Sequence, residues 1–306
     1  MLGDVLDCPP APLSRMHSPQ TLTPPLKNKD FDLWIEAGQI EKHYWRDLWN
    51  YRELLFMLAW RDVAVRYKQT IAGAAWALLQ PFLSMLIMTV IFSRVAGLPS
   101  VGSAPYAIMV FAGLLPWQFV SNALANAGQS VVINASMISK VYFPRVIVPA
   151  ASVFVSVVDF LISFVILIGL MIWFKFVPTA RILTLPLFAI LAVVVAMGPG
   201  LLITALTVRF RDFRFITPFI VQFGMYASPV AYSSEVVRQK LGETGFLLYC
   251  LNPVVGVIDG FRWAILGDDA RISVLGTCIS LTVALLLLVI GLVYFRKTER
   301  SFADVI

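Results

Sequence analysis

An all-α integral membrane protein with six transmembrane helices is the fold class this sequence predicts, and three observations carry the prediction. Gln69 to Ser93 contains no Asp, Glu, Lys or Arg, a run of 25 residues. As a helix that run is long enough to cross a hydrocarbon core of roughly 30 Å, and comparable runs recur down the chain. Composition agrees: 59% of residues are hydrophobic, 14% are charged and the mean hydropathy is +0.81, whereas soluble domains carry about 25% charged residues. The barrel alternative requires segments of about ten residues with alternating polarity, and the sequence offers none.

The elements follow in order. Residues 1–30 are rich in Pro, hold no apolar block and read as a disordered tail. They lack the apolar centre of a signal peptide, so the first span is expected to direct insertion. Residues 31–69 form a cytoplasmic interface segment. Within it, over 44–68, Leu48, Tyr51, Leu55, Leu58 and Val65 recur at roughly helical spacing, with Arg46, Arg52, Glu53, Arg61 and Asp62 between them. Trp45, Trp49 and Trp60 suit the headgroup level, so the stretch reads as an amphipathic helix along the membrane surface. A plain lead-in helix anchoring the first span would look much the same.

Residues 70–298 carry the spans, placed at about 70–94, 106–133, 148–174, 182–208, 215–232 and 272–295. The fifth is short, with Pro218 and Pro229 near its ends, and the fourth holds Gly198-Pro199-Gly200, a site for a kink. Between spans five and six, residues 233–271 contain apolar pieces too short to cross, broken by Pro253, Gly256 and Gly260. Short half-inserted helices on the outer side fit them. Six spans put both termini on one side. That side collects seventeen Lys and Arg against seven on the other, which places the termini in the cytoplasm of a cell inner (plasma) membrane protein.

Several functional classes are excluded or weakened. Net charge of +6 lies in tails and connections, not in any nucleic-acid module, so no nucleic-acid partner is expected. Cys8, Cys250 and Cys278 are scattered, and His17 and His43 precede the first span without companion ligands, so no metal site is expected. There is no Gly-x-x-x-x-Gly-Lys phosphate loop, nor any Gly-Lys pair, so the chain should bind no nucleotide cofactor. No nucleophile elbow, zinc-spaced histidines or paired span carboxylates mark a catalytic residue.

Three groups of residues remain. Asp159 is the one acid well inside a span and must face the bundle or water. With no second ionisable residue in a span, an inter-helix bond to a Ser, Thr or Tyr is favoured over a proton relay. Phe215, Phe219, Gln222 and Tyr226 fall at i, i+4, i+7 and i+11, with Phe223 beside them, and Trp76 and Gln80 could add a second pair. Aromatic faces with polar edges suit sugar rings in a wet passage. Plain packing, or a lipid-facing belt, is the alternative for all of them. The connection from Asn134 to Arg145 mixes apolar, basic and turn-forming residues, which suits docking on a partner or a solvated loop with positive anchors.

The pieces together resemble the permease subunits of ABC-2 type polysaccharide and polyol-phosphate exporters, those serving O-antigen, capsule and teichoic acid export. The likeness spans about residues 45–300. It runs through Arg61-Asp62, Arg66-Tyr67-Lys68-Gln69-Thr70, Gly73, Trp76 and Gln80-Pro81, then Gly113-Leu114-Leu115-Pro116-Trp117. Lys140-Val141-Tyr142-Phe143-Pro144-Arg145 follows with Pro149, then Arg211-Asp212 and Ser228-Pro229-Val230. Asn252-Pro253, Asp259, Phe261-Arg262 and Gly267 complete it.

The resemblance implies a homodimer joined by two copies of a separate ABC ATPase, which would hold the ATP and Mg. It implies that 134–145 is the coupling helix, with Lys140, Tyr142, Phe143, Pro144 and Arg145 as contacts. Arg61, Asp62 and Arg66 of the 44–68 helix would complete the ATPase surface, and the outer 233–271 segments would help gate the exit. The expected function is then passage of a lipid-linked glycan from the cytoplasmic to the outer side, driven by the partner's ATP hydrolysis, in contact with membrane lipids. The alternatives are an ABC-2 permease for a small drug or lipid, and, from another class, a membrane-bound enzyme of lipid-linked sugar metabolism.

Overall fold

The computed structural model of the chain describes residues 44–68, 71–267, 270–299 and Phe302. The tail, the start of the interface segment, both histidines and Cys8 lie outside the described residues. All regular structure among the described residues is helical: α1 (Tyr44–Asn50), α2 (Arg52–Lys68), α3 (Ile71–Thr89), α4 (Tyr106–Ile133), α5 (Ala135–Ile138), α6 (Ile147–Trp173), α7 (Leu185–Arg209), α8 (Phe213–Tyr226), α9 (Ser234–Tyr249), α10 (Pro253–Leu266) and α11 (Val274–Thr298). A wider π-helical turn, Val90–Val95, extends α3, and a 3-10 turn, Ala180–Thr184, leads into α7.

Five helical stretches are long and apolar enough to cross a bilayer: Ala75–Val95, Tyr106–Ile133, Ile147–Trp173, Ala180–Arg209 and Val274–Thr298. They coincide closely with five expected spans. The expected fifth span, 215–232, differs. Helix α8 stops at Tyr226, because Pro229 lacks an N–H and disfavours helical geometry at Ser228 before it. Its 14 residues reach about 21 Å, short of the hydrocarbon core. Beyond the turn, α9 and α10 together are long and apolar enough for one crossing but meet at a bend of 116°.

Helix α4 is the mast: 83% of its most apolar window is buried, against 11% for the α3 stretch. Ile108, Met109, Phe111, Leu114 and Leu115 of α4 pack with Ile258 and Phe261 of α10 and Leu167 of α6 in the larger core. Helices α7 and α11 touch backbone to backbone. A Cβ on Gly291 would sit 2.2 Å from the Gly198 carbonyl oxygen, so both positions need glycine for this small-residue contact. Helical structure continues through Pro199.

A second core gathers at the end bearing α1, α2 and the α5 loop. Leu58, Ala59, Ile138, Phe143, Ile147, Val208, Phe295 and Phe302 are buried together there. The expected single 44–68 helix is two helices, broken at Tyr51, although Tyr51 N–H still donates to Asp47 O and Leu55 N–H to Tyr51 O. Leu58 faces inward as the pattern predicts, with Ala59 beside it, but Val65 is 55% exposed, as are Trp45, Trp49 and Trp60 to greater degrees.

Candidate functional site

Midway along the bundle, α3, α4, α6 and α8 leave a cavity of about 250 Å³ whose wall is half polar. Gln80 and Ser84 come from α3, Gln118, Ser121 and Asn122 from α4, Asp159 and Ser163 from α6, and Gln222 from α8, while Arg66 reaches in from the end of α2. Trp117 supplies one wall. Its ring is wedged against α8 so closely that a Cβ on Gly224 would lie 2.6 Å from it. The packing of α8 on α4 therefore rests on a large ring meeting a residue without a side chain.

Asp159 is 9% exposed, and its charge is answered locally. Arg66 Nη1 lies 2.9 Å from Asp159 Oδ2, close enough for an ion pair though not aligned as a hydrogen bond. The Tyr67 hydroxyl donates to Asp159 Oδ1. Burial first, and the neighbouring carboxylate second, raise the Tyr67 phenol above its usual range, so it stays a donor. The inter-helix partner expected for Asp159 is thus a tyrosine. Ser163 and Ser121 spend their hydroxyl protons on the Asp159 and Gln118 carbonyls.

Of the candidate path residues, Gln80, Gln222 and Asp159 meet in this cavity. Phe215, Phe219, Phe223 and Tyr226 stand on the open face of α8, each more than half exposed, and Trp76 does so on α3. These rings lie on the same two helices but outside the cavity wall. Arg66, assigned above to the ATPase surface, also lines the cavity and faces Asp159.

The other coupling candidates gather at the second core. The segment expected as a coupling helix is one helical turn, α5, followed by irregular backbone with turns at 139–140 and 145–146. Phe143 and Pro144 are buried anchors, whereas Lys140, Val141 and Tyr142 point outward. Arg145 donates to the Glu299 carbonyl and lies over the Phe302 ring. The Tyr44 hydroxyl donates to Glu299 Oε2 at 3.2 Å. Arg61 pairs with Asp62 at 2.7 Å and donates to Asn134 Oδ1 at 2.8 Å, tying α2 to the start of the loop.

The sequence placed Arg262 in the family resemblance but gave it no role of its own. This α10 residue is 3% exposed. It donates to the carbonyls of Met109 (3.3 Å), Val230 (2.7 Å) and Tyr232 (2.6 Å), joining α4, the turn after α8 and α10. Beside it, Ser234 donates to Asp259 at 2.5 Å. Gly113 was the available signal: a Cβ there would lie 2.8 Å from Arg262 Nη2 and 2.9 Å from Val230 O. Asn252 completes the joint by donating to Ser228 Oγ at 2.8 Å while its own Oδ1 accepts from Val254 N–H, capping α10.

Comparison with known proteins agrees with this architecture. A family model described as "ABC-2 type transporter" matches residues 53–266. The chain is similar to two Klebsiella pneumoniae proteins named "O-antigen export system permease protein RfbA", each 26% identical over 255 residues, covering 83% of this chain and 95% of theirs. A Myxococcus xanthus protein of the same name is 25% identical over 217 residues, covering 71% of this chain and 82% of its own.

Proposed function

The chain belongs to the ABC-2 type transporter family, and from that premise we propose that it is the permease subunit of an ATP-driven exporter of a lipid-linked, O-antigen-like polysaccharide. It is a multi-pass membrane protein and a transport subunit, not an enzyme. In this reading it sits in the cell inner membrane with both termini in the cytoplasm. It pairs with a second copy of itself, and two copies of a separate ATPase dock on the end bearing α1, α2 and the α5 loop and supply the ATP and Mg. The relatives' shared name, over more than four-fifths of this chain, supports the substrate class.

The observation that carries the reading is the polar cavity between α3, α4, α6 and α8. A long hydrophilic chain cannot dissolve in hydrocarbon, so its conduit must offer hydrated, hydrogen-bonding walls where the surrounding helices are otherwise apolar. The exposed aromatic rings of α8 extend such a wall with faces suited to the apolar side of sugar rings. Arg66 and Tyr67 end α2 at the cavity while Arg61 ties the same helix to the α5 loop. Movement imposed on the loop by the ATPases therefore has a continuous route, through α2, to Asp159 at the cavity wall. The outer joint around α10 is the natural place for a gate.

The test is reconstitution. The chain and its ATPase partner in proteoliposomes, supplied with the lipid-linked glycan and ATP, should move glycan to the opposite leaflet in proportion to ATP hydrolysed. Movement by the chain without the ATPase, or hydrolysis without glycan movement, would overturn the reading.

A further inference from the structure

Four carboxamides line the cavity, Gln80, Gln118, Asn122 and Gln222, and none makes a side-chain hydrogen bond among the described residues. Each keeps one acceptor and one two-proton donor available. The charged groups in the wall are Arg66 and Asp159, and these form an ion pair, with Tyr67 holding the second carboxylate oxygen. The cavity thus combines abundant neutral hydrogen-bonding capacity, an indole wall from Trp117 and no net charge. Its 250 Å³ would hold about eight waters at roughly 30 Å³ each, the space of a single sugar ring.

We infer that this cavity is a subsite for one uncharged, hydroxyl-rich sugar ring, and that the Asp159–Arg66 pair makes it reject polymers bearing an acidic group on each unit. This deepens the export reading and rests on it. A carboxylate or phosphate in the cavity would compete with Asp159 for Arg66 and would stand beside a second, largely buried carboxylate. An uncompensated buried charge is far more costly than the hydrogen bonds a neutral ring would make. A neutral ring asks only that waters on the four carboxamides be exchanged for hydroxyls, and its apolar face can lie on Trp117.

The test uses the chain with its ATPase in nanodiscs, with maltohexaose as the neutral probe and hexagalacturonate as the acidic one. Binding is read by saturation-transfer NMR. Maltohexaose should bind the parent, and Gln80→Leu with Gln222→Leu should weaken it about tenfold, the loss of one or two neutral hydrogen bonds. Hexagalacturonate should give no signal with the parent and should gain one in Asp159→Asn, where Arg66 has lost its charged partner. Equal binding of both probes by the parent would sink the inference, and so would neutral binding indifferent to the double substitution. Either result leaves the export reading to stand or fall separately on ATP-dependent glycan movement in proteoliposomes.

Discussion

Arg262 and Asp159 are both ionisable residues held among packed helices, and the protein satisfies them by opposite means. Arg262 gives its guanidinium to three backbone carbonyls from α4 and the turn after α8. Asp159 is answered by the side chains of Arg66 and Tyr67 and stands in the wall of a cavity. Backbone carbonyls cannot turn away, so Arg262 locks the joint around α10 into one arrangement. Side chains on the end of a separate helix can rotate or withdraw, so the neutralisation of Asp159 depends on where α2 sits. One charge fastens the bundle; the other can respond to events elsewhere in it.

Removing the fastening should have the largest effect. Arg262→Met leaves the Val230 and Tyr232 carbonyls without this donor, and each buried orphan costs about 1–3 kcal/mol. The thermal midpoint in detergent should fall further than for any other variant below; an unchanged midpoint would mean the joint does not depend on the guanidinium. Gly113→Ala drives a methyl into the same guanidinium and should lose about 1–3 kcal/mol by overpacking. In the Arg262→Met background only the clash with the Val230 carbonyl oxygen remains, so it should lose less, and a double-mutant cycle measures that coupling. Strict additivity would separate the two residues.

Asp159→Asn keeps the Tyr67 bond and should lower stability by only about 1 kcal/mol while clearly reducing export. If instead its midpoint dropped as far as that of Arg262→Met, the contrast between the two sites would collapse. At the end bearing the α5 loop, Lys140→Glu with Arg145→Glu should uncouple transport from ATP hydrolysis in a folded protein. Full export by that pair would reject the docking role. Because Lys140 is exposed and Arg145 is engaged with Glu299 and Phe302, any stability loss should come from the Arg145 change alone. Smallest of all should be the structural effect of Phe219→Ala with Tyr226→Ala, two rings on the open face of α8. Melting should not move, and flux then decides between a path role and plain surface.

Much of the scaffold was legible because lipid imposes a coarse rule. Span 106–133 matches α4 residue for residue, since Pro105 and Asn134 bracket an apolar run and occupy its two end positions. Span five was misjudged by six residues at its end, where Pro229 outweighed the hydropathy that suggested continuation. The type of Asp159's partner could be foreseen, but not Tyr67 itself, because the contact joins helices 92 positions apart. Arg262 kept its role hidden for a related reason. Its partners are carbonyls, which every residue has, so only the missing side chain at Gly113 hinted at the space it fills. Phe302 was equally unreadable: a lone Phe after a basic stretch carries no period, yet it is fully buried against Phe295 at a ring distance of 5.3 Å.

That ring has a mechanical corollary. With Tyr44 bound to Glu299, Arg145 bound to the same residue's carbonyl and Phe302 beneath it, the feet of α1, α6 and α11 are riveted into one plate. A load pressed on the plate near Lys140 cannot tilt a lone helix. It must be shared by all three.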